Sequence, residues 1–197
     1  MSRHLLATLG QGEHTLLSVS SPEGPWWILA VASPEALLSD LDKLLRETWF
    51  EAAGHQSDFT IKGVHFEDSP LSGWMASSRS ADVEIESVLP TGTVLTYRYD
   101  FTNTTHLHGK ALGLVNGGND HLTILARNDD VAWPCRACDN EANAVCSACG
   151  AFSCGCTDAC PACGASLDQV AIPVINSPRM GIGGFRGPGE VPSGEEA

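Results

Sequence analysis

The chain has 197 residues, 43% of them hydrophobic, enough to bury a substantial core in one domain or in a domain with a small appendage. Its 24 acidic residues against 11 basic ones give a formal charge of -13, which excludes a broad polyanion-binding surface. The longest apolar run is Trp26 to Ala32, far short of a bilayer span, and the first residues lack the long apolar region of a signal peptide, so a cytoplasmic protein with no membrane partner is expected.

In chain order, "HTLLSVS" (His14 to Ser20) and "WWILAVAS" (Trp26 to Ser33) flank the turn-rich "SPEGP" and predict a hairpin. A helix is expected next, with Ser33 as its cap, Pro34 in its first turn and Gly54 at its end. Leu37, Leu41, Leu44, Leu45, Thr48, Trp49 and Ala52 recur at helical spacing and make one apolar face. "DFTIKGVHF" (Asp58 to Phe66) predicts a further strand, and "VEIESVL" a short helix or strand. "TVLTYRYDF" alternates, with Leu95, Tyr97, Tyr99 and Phe101 on one face and Thr96, Arg98 and Asp100 on the other. "THLHGKALGLV" and "HLTILAR", joined through "NGGND" (Asn116 to Asp120), predict the end of an antiparallel meander. The expectation is an α+β domain over residues 1–128 with one principal helix on a mixed or antiparallel sheet.

All eight cysteines fall between 135 and 163, in pairs: Cys135 and Cys138, Cys146 and Cys149, Cys154 and Cys156, Cys160 and Cys163. Cytosolic thiols are held reduced, so a dense even set points to metal before disulfides. Eight thiolates supply two four-sulfur sites with none left over, which predicts two structural zinc ions in a small module over 129–168. Gly150 and Gly164 follow the second cysteine of their pairs, where φ > 0 turns backbone N–H groups toward the metal-bound sulfur. Interleaved pairing, 135, 138, 154 and 156 around one ion and 146, 149, 160 and 163 around the other, is favoured over sequential pairing. About thirty residues with almost no apolar core need such bracing. From Asp129 to Asp168 the sole cation is Arg136, too few to grip phosphates. Residues 169–187 read as a return segment packing on the first domain and 188–197 as a disordered tail.

"LLRETWFEAAGHQSDFTI", "LTYRYDFTNTTHL", "LTILARND", the cysteine block and "AIPVINSPRMGIGGFRG" occur in an order that resembles the plasmid pRiA4b ORF-3-like family, also described as insertion-sequence passengers. The resemblance covers most of residues 26–187, with "YDF" (Tyr99 to Phe101) and "NSPRMG" (Asn176 to Gly181) its most specific parts. It implies a compact α/β-roll, β-grasp-like in shape, to which some members add a cysteine-rich zinc module, and it brings no established activity. The chain departs from the family where members often read "CCGH" (here Ala52, Ala53, Gly54, His55) and where they carry Cys in place of Gly183.

Other candidates for chemistry are sparse. His106 and His108 share a strand face and could make half a metal site, although a polar sheet face is the plainer reading. His55, Ser57 and Asp58 are the residue types of a nucleophilic triad without a nucleophile elbow, and Asp100 lacks an acid partner. No P-loop or dinucleotide glycine motif is present, and the five tryptophans read as packing residues. Catalytic and cofactor-binding residues are therefore not assigned. The expected function is a noncatalytic protein-interaction or adaptor protein with a protein partner, the alternative a mobile-element-associated accessory nucleic-acid-binding factor, and an enzyme the third reading.

Overall fold

The computed structural model describes residues 12–50, 54–67, 78–117 and 120–188, so the tail expected beyond 188 lies outside the described residues. The chain divides into two compact units, one of residues 1–45 and 54–128, the other of residues 46–53 and 129–197. No helix among the described residues is long and apolar enough to cross a membrane.

The first unit contains β1 (His14–Ser20), β2 (Trp27–Ala32), the greater part of α1 (Leu38–Trp49), β3 (Ser57–Ile61), β4 (Val64–Glu67), β5 (Arg79–Ser80), α2 (Ile85–Val88), β6 (Val94–Tyr99), β7 (Thr105–Val115) and β8 (Leu122–Arg127). Its strands form one eight-stranded sheet in the order β5-β4-β3-β6-β7-β1-β2-β8, antiparallel except for the β4–β5 pair. This is a mixed sheet with few helices, in the α+β class.

Strand alternation sorts the two faces of this sheet. Leu95, Tyr97 and Tyr99 of β6 and Leu107 and Ala111 of β7 are buried, as are Leu17 and Val19 of β1, Ile28, Ala30 and Ala32 of β2, and Phe59 and Ile61 of β3. Helix α1 contributes Leu38, Leu41 and Leu45, all fully buried, each side chain contributing about 1.5–3 kcal/mol of transfer free energy. One carboxylate joins helix to sheet: Asp42 Oδ1 accepts from Ser57 Oγ of β3 at 2.6 Å and from Tyr97 Oη of β6 at 2.7 Å, with all three side chains buried. A buried charge is tolerated only when its lone pairs are satisfied, and two hydroxyl donors meet that need while fixing where α1 lies on the strands.

Several elements differ from their sequence-based expectation. The principal helix starts at Leu38, not at Ser33–Pro34, because the Leu37 N–H donates to Asp40 Oδ2 at 2.8 Å, a carboxylate reaching back from the first turn. Ser33 instead lies within 3.3 Å of His121 Nδ1 through its hydroxyl. At the other end the helix stops at Trp49, short of Gly54, which adopts φ 64°, while Ala52 lies outside the described residues. The stretch Asp58 to Phe66 is a hairpin, not a single strand. Lys62 (φ 50°) and Gly63 (φ 78°) turn it, with positive φ at both central positions as a type I′ turn requires. "VEIESVL" resolves as the short helix α2. β7 and β8 do not pair with each other, so "NGGND" is no hairpin turn. β7 lies between β6 and β1, and β8 closes the far edge on β2. Asp100 is not on the strand's polar face but in the bend after β6, buried at φ 59°, its Oδ1 accepting from the N–H groups of Thr102 and Asn103.

In the second unit β9 (Ala144–Cys146) is the centre of a three-stranded sheet between β10 (Phe152–Ser153) and β11 (Ala171–Pro173), with α3 (Leu167–Val170) leading into β11. Ser177 of the "NSPRMG" string is fully buried. Its Oγ donates to the Trp49 carbonyl at the end of α1 at 2.7 Å and accepts the Arg179 N–H at 3.0 Å. A helix end leaves carbonyls without intrahelical partners, and this serine satisfies one of them from far along the chain.

Tyr97→Phe should lower unfolding free energy by about 1.5–3 kcal/mol, the usual worth of a hydrogen bond to a charged group, with Asp42→Ala costing more because it removes both bonds at once. Urea denaturation of the two variants measures both.

Candidate metal centre

Three of the four cysteine pairs are built alike. In each, the N–H of the first cysteine donates five residues on, Cys135 to the Asn140 carbonyl at 2.7 Å, Cys146 to that of Ala151 at 2.9 Å and Cys160 to that of Ala165 at 2.7 Å. The residue after the second cysteine returns an N–H to the first cysteine's carbonyl, Asp139 at 3.0 Å, Gly150 at 2.7 Å and Gly164 at 2.9 Å. That return needs a left-handed residue, and Asp139, Gly150 and Gly164 stand at φ 60°, 75° and 75°. The glycine N–H groups themselves bond to carbonyl oxygen, while other backbone N–H groups of the knuckles turn toward sulfur, as expected. An N–H that does reach sulfur comes from inside the loop, Ala137 to Cys135 Sγ at 3.5 Å. The fourth pair is tighter, with Gly155 between its cysteines at φ 74° and its N–H bonded to Ser153 Oγ at 3.1 Å.

The sulfurs gather into two groups of four. Cys135, Cys138, Cys154 and Cys156 form one and Cys146, Cys149, Cys160 and Cys163 the other, with all sulfurs of a group within 4.8 Å of one another. This is the interleaved arrangement. The chain passes from the first group to the second, back to the first and again to the second.

The hairpin of β9 and β10 makes the crossing, since β9 ends at Cys146 of the second group and β10 runs directly into Cys154 of the first. Around the second group Cys146, Cys160 and Leu167 are buried together, with Ala151 and Val170 against them. Beside the first, Trp133 and Phe152 stack with centroids 4.6 Å apart and planes 2° from parallel. In both groups the outer cysteines Cys138, Cys156, Cys149 and Cys163 are exposed.

The donor set fits a tetrahedral four-thiolate ion. A metal–sulfur bond of about 2.3 Å implies a sulfur–sulfur edge of about 3.8 Å. The separations are 3.8 Å for Cys135–Cys156, 3.4 Å for Cys138–Cys154, 3.6 Å for Cys138–Cys156, 3.8 Å for Cys146–Cys163 and 3.5 Å for Cys149–Cys160. All are far beyond the disulfide length of about 2.05 Å.

Electrostatics make the same demand. N–H groups of Ala137 and Cys154 bring the Cys135 thiol down to about 6, and those of Ala162 and Cys163 bring Cys160 down to about 6. Crowding then holds the remaining protons. The neighbouring Cys154 and Cys138 push Cys156 up to about 12. An N–H from Ala151 pulls on Cys149, but Cys160, Cys163 and Cys146 outweigh it and push that thiol up to about 12. One thiolate forms readily in each group and the last does not, so a full set of four needs a cation at its centre.

The other sequence candidates do not assemble. Ser57 Oγ is bonded to Asp42, His55 Nδ1 sits 3.8 Å from Asp100 Oδ1, and Asp58, wholly buried, takes Arg98 Nε at 2.8 Å and His65 Nδ1 at 3.0 Å. The three triad residue types are thereby directed to three different places. His106 and His108 are exposed on one face of β7, and among the described residues neither belongs to a metal-capable group.

No protein-family model matches the chain, and no curated protein does. Among solved structures, the crystal structure of a protein of unknown function, MM3350 from Methanosarcina mazei Go1, is similar at 13% identity over 58% of this chain and 68% of that one, with a TM-score of 0.48.

Paired substitutions test the interleaving. Cys135→Ser with Cys154→Ser should leave about one bound metal ion per chain, whereas Cys135→Ser with Cys146→Ser should leave about none. The reverse pattern in metal analysis would establish sequential pairing. Because the high-pKa thiols must lose protons as metal enters, binding should release protons and affinity should fall steadily from pH 8 to about pH 5.5, read by competition with a chromogenic chelator.

Proposed function

We propose that this is a noncatalytic protein-interaction or adaptor protein whose cysteine block is a scaffold built on two structural zinc ions. The observation that carries the proposal is the completeness of both tetrads. Each has four thiolates, which is the donor set of structural zinc, whereas a catalytic zinc keeps a position open for water or substrate and usually has His or carboxylate among its ligands.

Zinc suits these sites because thiolates are soft ligands and its filled d shell imposes no geometry against the tetrahedral spacing. When bound, the ions supply cross-links. The chain's own residues do the rest: loop N–H groups lower the first thiols, the left-handed residues close the knuckles, and the β9–β10 hairpin ties one ion's ligands to the other's.

A protein partner is favoured over nucleic acid by charge. Each four-thiolate zinc centre carries a net charge of about minus two, which adds to a stretch whose sole cation between Asp129 and Asp168 is Arg136. The first unit belongs, in this reading, to the α/β-roll, β-grasp-like domains of the pRiA4b ORF-3-like family, and the protein acts in the cytoplasm.

Chelation should release about two zinc ions per chain and unfold residues 135–163 before the eight-stranded sheet, seen as early loss of amide protection confined to that block. No zinc by metal analysis, or an iron chromophore, would remove the scaffold. For the partner, affinity isolation with the intact chain and with Cys160→Ser should recover a protein that depends on the block. Salt-sensitive micromolar binding of the purified chain to DNA or RNA would replace the adaptor by an accessory nucleic-acid-binding factor.

A further inference from the structure

The face of the eight-stranded sheet that carries Thr96 and His108 holds a trough of about 560 Å³, lined by Ser18 and Ser20 of β1, Thr96 of β6, His108 and Lys110 of β7, and Lys62 of the β3–β4 turn, with Val94 and Leu95 as its apolar part. Register places these side chains in rows across the strands. Trp27, Ser20, His108, Thr96, Thr60 and His65 are successive partners over six strands, and in a second row Ser18, Lys110 and Val94 lie side by side. Partners in a row stand about 5 Å apart, so the hydroxyls, the imidazole and the Lys110 ammonium project from one small area.

The charge here opposes that of the chain. A protein with formal charge -13 has three lysines, Lys43, Lys62 and Lys110, and two of the three line this trough, with no carboxylate in the lining. In the adjoining row Asp58 is wholly buried, its carboxylate held by Arg98 and His65, and so offers no free acceptor to the trough. The hydroxyls of Ser18, Ser20 and Thr96 can each rotate to donate, that of Thr60 is within 3.1 Å of His65 Nδ1, and an ammonium brings three more donors with a full charge. Donors and positive charge without competing acceptors are complementary to an oxyanion.

At one end of the first row Trp27 is 43% exposed, contrary to the packing role expected of it, and flanks Ser20 with a bare indole. We propose that this trough is a binding site for a small molecule bearing a doubly charged oxyanion, a phosphate or dicarboxylate, gripped by Lys62 and Lys110 and hydrogen-bonded by the hydroxyls and His108. The site lies wholly in the first unit and is independent of the zinc scaffold.

The test is a titration of the full-length, zinc-loaded chain at low ionic strength, followed by amide chemical shifts, with inorganic phosphate, succinate and a single-stranded oligonucleotide as separate probes. Shifts at Ser18, Ser20, Thr96, His108 and Lys110 that saturate at millimolar phosphate or succinate support the site, and the stronger of the two identifies the oxyanion class. Lys62→Asn, which keeps a residue tolerant of the left-handed turn position, combined with Lys110→Thr should weaken binding about ten-fold or more. Lys43→Ala, on the exposed side of α1, should leave it unchanged. Absence of shifts in the trough, shifts indifferent to the lysine pair, or response to the oligonucleotide alone would overturn the proposal.

Discussion

Four thiol sulfurs held within 4.8 Å of one another cannot all be charged unless a cation lies among them, and this chain builds that situation twice in thirty residues. The constraint organises the block more than any apolar packing does. Its described buried cluster beside the second tetrad is Cys146, Cys160 and Leu167, with Ala151 and Val170 against them, too small a group to fix a fold by burial alone. Because the tetrads interleave, neither can form from a contiguous piece of chain, and an ion in each would close loops that contain ligands of the other. That is the physical sense in which two ions would replace a hydrophobic core.

The other unit solves the opposite problem. It has apolar surface in plenty and needs to specify one arrangement of it. Asp42 does so by placing in the core a carboxylate that accepts from both Ser57 and Tyr97, so a shift of α1 along the strands would break both bonds together. On the far side of the same sheet Asp58 is likewise buried and likewise fully engaged, by Arg98 and His65. The polar groups that resemble catalytic parts in sequence are accounted for by these structural pairings. Among the polar groups facing outward are lysines, hydroxyls and an imidazole in register, lining a trough that holds no carboxylate.

Much of this is legible in one dimension. Strict alternation marks β6 and β7, since a half-buried strand writes its two faces directly into the residue order. Helical recurrence of Leu41, Leu45, Thr48 and Trp49 marks α1, although spacing alone misplaces its start, because Asp40 caps Leu37 from inside the first turn, a bond no spacing rule separates from the Ser33–Pro34 signal. Lys62–Gly63 reads as continuous strand because lysine is a poor turn marker and reveals its left-handed conformation only in the folded hairpin. The strong turn string "NGGND" misleads in the other direction: it lies between two strands that find their partners elsewhere in the sheet.

By itself the sequence determined the ligands of the candidate metal centre, for eight thiols in four close pairs leave little else for those residues to do, and it determined which residues of the better strands face inward. Tertiary structure alone decided which cysteines share a centre, because loops this short permit either pairing and the β9–β10 hairpin selects one. It alone decided strand order, which depends on pairings between residues distant in the chain. It also decided that Lys62, Lys110, His108 and four hydroxyls meet on one face, since register brings together side chains from four strands and no local pattern encodes that meeting.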